Sequence, residues 1–128
     1  MAKRQHPERD EQENICSLVR SLGGHVYRIG TVRKRGDHQG TMQTPGIPDL
    51  WIVLPEIRRT MSDGVTPIDL PCIGLWWETK APKGKLSEPQ RHFLELAEAA
   101  GVDHGHGTFD EFIEWLVVGN RLDRQLVH

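Results

Sequence analysis

The chain has 128 residues, a length that fits one domain with a single core. Hydrophobic residues make up 37% and charged residues 27% of the sequence, no apolar run is long enough to cross a bilayer, and we expect neither a signal peptide nor a membrane anchor. The net charge of −2 argues against a protein that coats nucleic acid indiscriminately.

The first predicted element is a helix over residues 8–22, where apolar side chains recur every three or four positions between Ile15 and Leu22. Two glycines, 23–24, end it. The stretch HVYRI (25–29) predicts a strand, and the glycine-rich, basic residues 30–46 predict a long loop.

Two further strands are predicted around a polar segment. The run LWIVL (50–54) is apolar and bounded by prolines, which favours a buried strand. Residues 55–71 are polar and predict an insertion that connects two strands, after which CIGLWWET (72–79) predicts the next strand.

The second helix has a clear start. Ser87 is placed to cap it and Gln90 follows in the capping-box position, while Gly101 is placed to end it. An apolar face follows Gln90 at helical spacing, and the short stretch VDHGH (102–106) then predicts a strand.

The last predicted helix, FIEWLVV (112–118), follows a second capping box formed by Thr108 and Glu111. We expect a mobile tail over 119–128. The order α-β-β-β-α-β-α predicts one α/β domain over residues 1–128, with a core over about 8–118 in which helices flank a small mixed sheet.

Two carboxylates and a lysine are predicted to meet at one corner of that sheet. Asp49 precedes one strand and Glu78 lies near the end of the next, so antiparallel pairing would bring them side by side. Glu78 and Lys80 are two residues apart and project from the same face. Converging carboxylates with open coordination positions suit Mg²⁺ or Mn²⁺, and such a site can hydrolyse a phosphodiester.

The simpler interpretation is an ion pair between Glu78 and Lys80 at a strand end. Asp49, however, stands within PGIPDL, where Gly46 and two prolines constrain the backbone that leads to it. The combined pattern is therefore more specific than an isolated ExK.

Three stretches together resemble the VRR-NUC family of the PD-(D/E)XK nuclease superfamily. They are TPGIPDLWIV, WWETKAPKGKLSEPQRHFLELAEAAG and FDEFIEWL, and the resemblance covers about residues 8–118. It implies a restriction-endonuclease-like core and a metal-dependent DNA endonuclease. The family occurs in small stand-alone phage and bacterial proteins, which implies the cytoplasm of a bacterium or of a phage-infected host.

The resemblance also implies roles for individual residues. Asp49 and Glu78 would hold the metal together with the backbone carbonyl of Thr79, and Lys80 would serve the attacking water. The family has a further glutamate in its first helix, for which Glu8, Glu11 and Glu13 are candidates. We select Glu11, which shares a helical face with the inward apolar residues; Glu8 lies on that face one turn earlier, and Glu13 points elsewhere. An acidic first turn that merely favours the helix dipole is an equal alternative.

Gln90 has two interpretations. As a capping-box residue it would bond back to Ser87, whereas on the face of Phe93 and Leu94 it would reach the site, where the family also places a glutamine. Two basic segments are candidates for contact with DNA phosphates, and solvated surface without such a role is the alternative; they contain Arg33, Lys34, Arg35, Lys83 and Lys85.

Other patterns carry less weight. HGH (104–106) lacks the partners of a zinc site. Cys16 and Cys72 are far apart without CxxC spacing, which predicts a reducing compartment and core packing. Trp76 and Trp77 are adjacent, so they must face opposite sides of the sheet.

The resemblance and the pattern favour an endonuclease that selects branched or flapped DNA, such as a four-way junction. The alternatives are a non-catalytic nucleic-acid-binding module with the same fold and a nuclease of the restriction or resolvase type. One domain offers one active corner, so paired cuts in a two-fold symmetric junction would need a homodimer.

Overall fold

A four-stranded sheet is the centre of this computed structural model, which describes residues 7–30 and 45–126. The helices are α1 (Pro7–Ser21), α2 (Glu88–Ala99) and α3 (Phe109–Val118). The strands are β1 (His25–Arg28), β2 (Leu50–Leu54), β3 (Ile57–Thr60), β4 (Pro67–Leu70), β5 (Ile73–Thr79) and β6 (Asp103–Gly107).

The sheet has the order β1-β2-β5-β6. β1, β2 and β5 are antiparallel, whereas β6 runs parallel to β5 after the crossover through α2. Leu50 pairs with Trp77, so the beginning of β2 lies beside the end of β5. The predicted small mixed sheet flanked by helices is confirmed.

The core lies on one face of the sheet. Burial alternates strictly along β2, and its buried side chains pack with Leu75 and Trp77 of β5 against α1 and α3, while the last three residues of β5 are all buried. The cluster contains Ile15, Cys16, Val19, Leu50, Ile52, Leu54, Leu75, Trp77, Phe112 and Leu116.

The opposite face carries the other tryptophans. Trp51 and Trp76 have ring centroids 4.8 Å apart, and Trp76 meets Phe93 of α2 edge to face at 5.5 Å. Trp77 instead contacts Phe112 of α3 at 4.9 Å. The prediction that Trp76 and Trp77 face opposite sides is confirmed.

Both predicted capping boxes are present. The Ser87 hydroxyl accepts from Gln90 N and the Gln90 side chain accepts from Ser87 N; Thr108 and Glu111 are related in the same way. α3 therefore begins at Phe109, three residues earlier than its apolar run predicted, because the cap and not the apolar run sets the start of a helix.

The polar insertion contains two strands that the predicted order of elements did not include. β3 and β4 pair in a separate antiparallel hairpin. Its turn is held by Asp63, whose carboxylate accepts bonds from Val65 N, Thr66 N and the Thr66 hydroxyl. A two-stranded ribbon exposes most of both faces, so its sequence stays polar. The hairpin leaves β2 at the end opposite Asp49.

Two other expectations need correction. Arg121 and Leu122, within the predicted mobile tail, are anchored: Leu122 packs against the core, and the buried Arg121 guanidinium donates to the carbonyls of Pro55 and Pro71. Cys16 is in the core, but Cys72 is exposed just before β5. Among the residues described, no helix is long and apolar enough to cross a membrane.

Candidate metal centre

Three carboxylates converge where β2 begins and β5 ends. Oxygens of Glu8, Asp49 and Glu78 lie within 4.8 Å of one another. Glu78 is buried, Asp49 is half-buried and Glu8 is exposed at the start of α1. The antiparallel pairing of β2 with β5 therefore brings Asp49 and Glu78 together as the sequence predicted.

The turn before Asp49 packs on the start of α2. Gly46 has φ +93°, and a Cβ there would lie 2.3 Å from the Pro89 carbonyl oxygen. Pro48 is completely buried. The PGIP stretch therefore fixes where the chain enters β2, and a side chain at Gly46 would strain the backbone and displace the turn.

Asp49 is held at both carboxylate oxygens. Thr79 N donates to Oδ1 at 2.9 Å, and Gln12 Nε2 donates to Oδ2 at 2.7 Å. Burial raises the pKa of Asp49, while the bonds from Thr79 and Gln12 oppose that rise. The neighbouring Glu8 charge adds to it.

The pKa of Glu78 is strongly raised. Burial, followed by the charge of Asp49, raises its pKa to about 7, and only Lys80 among the nearby charges lowers it. Without a further cation, the corner therefore holds more negative charge than it can neutralise.

Lys80 is the protein cation closest to this excess charge in the described part of the chain. Its Nζ lies 3.7 Å from Glu78 Oε2, and its side chain is only 13% exposed. Its backbone N–H donates to the Gly107 carbonyl at 2.9 Å, and the Trp77 indole donates to the same oxygen at 3.3 Å. The end of β6 thus fixes the backbone from which Lys80 projects.

Gln90 satisfies both of its predicted interpretations. Its Oε1 accepts from Ser87 N at 2.8 Å, which completes the capping box. Its Nε2 donates to Glu78 Oε2 at 3.1 Å. The two ends of one amide therefore link the first turn of α2 to the carboxylate at the end of β5.

Glu11, the first-helix carboxylate selected from the sequence, bonds to α3 instead of joining Asp49 and Glu78. Glu11 Oε1 accepts from Phe109 N at 2.7 Å and so caps the first turn of α3. Glu8, the alternative one turn earlier, lies with Asp49 and Glu78. The third candidate, Glu13, is exposed.

Sequence analysis missed Gln12, whose amide holds Asp49. Gln12 follows Glu8 by four residues, and residues at that spacing lie on one helix face. A polar pair at this spacing, on the face that continues into Ile15 and Val19, is the feature that could have identified both residues.

The predicted DNA contacts are described only in part. Lys83 and Lys85 are exposed in the turn that follows β5, beside the site. Arg33, Lys34 and Arg35 lie outside the described residues. In the HGH stretch, His104 bonds Val102 O through Nδ1 and faces Glu98 through Nε2, an ordinary surface arrangement.

The residues fit a divalent cation of the hard type. The donors are carboxylate oxygens, which Mg²⁺ and Mn²⁺ prefer. Burial is the main cause of the raised pKa at both Asp49 and Glu78, and the charges of the neighbouring acids add to it. The backbone of Thr79 lies between Glu78 and Lys80 and touches Asp49 through its N–H, so this strand end is part of the same corner.

Comparison with known proteins bears on the fold. No family model matches the chain, and no curated protein matches it. The chain is similar to a solved structure of a VRR-NUC domain, with a TM-score of 0.57 and 20% sequence identity over 88% of this chain and 96% of that one. The chain therefore has the fold of a VRR-NUC domain, as the resemblance predicted.

Proposed function

We propose that this chain is a divalent-metal-dependent endonuclease that hydrolyses phosphodiester bonds of DNA, as VRR-NUC nucleases do. The observation that carries the proposal is the convergence of Glu8, Asp49 and Glu78 within 4.8 Å. An ion-paired strand end would require only Glu78 and Lys80, and it would not account for two further carboxylates placed against the first.

The metal ligands in this proposal are Glu8, Asp49, Glu78 and the Thr79 backbone carbonyl. A bound Mg²⁺ or Mn²⁺ ion would polarise the scissile phosphoryl group and lower the pKa of a water molecule. Gln12 donates to the Asp49 carboxylate and Gln90 donates to the Glu78 carboxylate, and these bonds restrict the rotation of both groups. The carboxylate oxygens are therefore already oriented before substrate binds.

Lys80 is the group we assign to the attacking water. Its ammonium lies beside Glu78 and is largely shielded from solvent, so its charge acts at short range on an entering nucleophile and on negative charge that develops at phosphorus. The exposed Lys83 and Lys85, by contrast, are placed to contact phosphates of the DNA backbone.

Hydrolysis of a labelled DNA in Mg²⁺ tests the proposal. Excess chelator should abolish cleavage, and added Mg²⁺ or Mn²⁺ should restore it. Asp49→Asn should reduce the rate by at least about 100-fold, while Glu13→Gln, an exposed acid on α1, should leave it unchanged. Full cleavage in chelator or normal turnover by Asp49→Asn would reject the assignment.

The DNA geometry is also part of the proposal. We infer selectivity for a four-way junction or flapped DNA and a homodimer in solution. A binding module without catalysis would bind such DNA but leave it intact in Mg²⁺, and a nuclease of the restriction type would cut a linear duplex at least as well as a branched one. Cleavage of a junction, a flap and a linear duplex under one condition separates these three.

A further inference from the structure

One row of aromatic side chains crosses the sheet on the α2 face. Tyr27 of β1 pairs with Trp51 of β2, and Trp51 pairs with Trp76 of β5. Residues paired across neighbouring strands project from the same face. The row therefore runs Tyr27, Trp51, Trp76 and ends on Phe93 of α2.

Tyr27, at the end of the row away from α2, is the exposed member, whereas Trp51 and Trp76 are both half-buried. Trp76 is in contact with Phe93, and Tyr27 is 54% exposed. Trp51 is also fixed in place: a Cβ on Gly74 would lie 2.4 Å from its ring, so the indole lies directly over that glycine. The β1 side of the face is thus an open aromatic surface on a rigid base.

The metal centre is the next row along the same face. Asp49 precedes Trp51 by two residues and Glu78 follows Trp76 by two, which separates the rows by about 7 Å. Ile29 N donates to the Asp49 carbonyl at 2.7 Å, so β1 stays in register with β2 up to the site. A nucleotide next to the scissile phosphate would therefore place its base over Tyr27 and Trp51.

We propose that Tyr27 and Trp51 form a stacking subsite for an unpaired nucleobase adjacent to the scissile phosphate. The inference rests on the proposed nuclease function and narrows its substrate class. A base within a duplex is stacked on both sides and offers no free face, whereas an unpaired base does. The subsite therefore favours forked or flapped DNA over a four-way junction, in which the bases are paired.

Binding assays test the subsite without any need for cleavage. In an Asp49→Asn background that keeps the strands intact, Tyr27→Ala should bind a forked DNA with a single-stranded arm roughly 5- to 100-fold more weakly. Its binding to a fully paired duplex and to a four-way junction should change less than about twofold.

Three matched variants separate stacking from loss of fold or of apolar area. Tyr27→Phe keeps the ring and should bind the fork normally. Tyr27→Leu keeps apolar bulk without a flat ring and should be as weak as Tyr27→Ala, with thermal melting to check folding. Val118→Ala removes an exposed apolar side chain on α3 and should have no effect.

An abasic scan of the fork arm identifies the partner base. With Tyr27 present, removing the base at one position of the arm should weaken fork binding as much as Tyr27→Ala does. Combining that abasic position with Tyr27→Ala should weaken binding little further. Equal losses on fork and duplex, normal fork binding by Tyr27→Leu, or an abasic scan without effect would each overturn the subsite. Failure of the nuclease proposal is distinct, because it would appear as absence of hydrolysis while these binding differences remain.

Discussion

Glu8 and Glu11 lie one turn apart on α1 but have different partners, which gives a sharp test at the scale of single residues. Glu8→Ala should raise the Mg²⁺ concentration for half-maximal cleavage at least about tenfold and leave stability within about 0.5 kcal/mol, since it removes a carboxylate from the crowded corner. Titration of activity with Mg²⁺ measures the first quantity and chemical denaturation the second.

Glu11→Ala is the matched control for that test. It removes the acceptor for Phe109 N, so it should cost about 1 kcal/mol of stability while the Mg²⁺ requirement stays unchanged. If Glu11→Ala instead shifted the Mg²⁺ dependence and Glu8→Ala did not, the assignment of Glu8 to the site would be wrong.

Glu78 predicts how the stability of the metal-free protein depends on pH. Its pKa is raised from 4.5 to about 7, so the folded state binds this proton more tightly than the unfolded chain does. The contribution of Glu78 to the stability of the folded state is therefore complete below its pKa in the unfolded chain, and it is lost as the pH rises through 7. In chelator, the free energy of unfolding should fall by on the order of 2 kcal/mol over this window, after allowance for screening by solvent.

Glu78→Gln is the comparison for the pH experiment. The variant lacks the titrating proton, so its unfolding free energy should fall much less between pH 5 and 8 under identical conditions. If the unfolding free energies of the two proteins fell in parallel with pH, groups other than Glu78 would account for the pH dependence.

Substitutions of Lys80 and Lys85 should affect different quantities, the rate of the chemical step and the affinity for DNA. Lys80→Ala should lower kcat by at least about 100-fold with less than about a threefold change in DNA affinity, because its ammonium lies at Glu78. Lys85→Ala should do the reverse: weaker binding to every DNA sequence and a salt slope reduced by about one. Single-turnover rates and binding at several salt concentrations measure these effects, and equal losses in both variants would refute the division.

At the scale of elements, Arg121 ties the C-terminal segment to both ends of the β3–β4 hairpin. It is buried and donates to the carbonyls of Pro55 and Pro71. Arg121→Ala leaves those two carbonyls without that donor and opens space beside the hairpin. We expect a loss of about 2–3 kcal/mol in the free energy of unfolding, measured by chemical denaturation.

Arg124→Ala is the control for Arg121→Ala. Arg124 is exposed and pairs with Glu114 at 2.7 Å, so its removal should cost less than about 1 kcal/mol. Cleavage should persist in both variants, because the hairpin lies at the end of the sheet opposite the metal centre. Similar losses of stability in the two variants would contradict the anchoring role of Arg121.

At the scale of the whole molecule, we propose a homodimer that forms through the β3–β4 hairpin. The hairpin exposes Met61 and, more strongly, Val65, at the end of the domain remote from the metal centre. Contact through two such hairpins would leave both sites accessible. We therefore expect light scattering at micromolar concentration to give twice the chain mass of 14.6 kDa.

A charge in the hairpin tests that arrangement. Val65→Asp should give the monomer mass and leave the cleavage of a single forked end unchanged, since each site is complete within one chain. A monomer mass for the unmodified protein, both free and with DNA, would exclude the homodimer.

The sequence by itself determined the order of the three helices and of the four strands of the main sheet, the capping boxes and the meeting of Asp49 with Glu78, but not the β3–β4 hairpin. These features depend on local spacing and on one antiparallel pairing between neighbouring strands. Only the tertiary structure decided between Glu8 and Glu11. Residues three apart differ by about 60° around a helix axis, so a small rotation of α1 decides which one faces the site. That rotation is set by the packing of Ile15, Cys16 and Val19 against the sheet, a long-range condition that spacing does not contain.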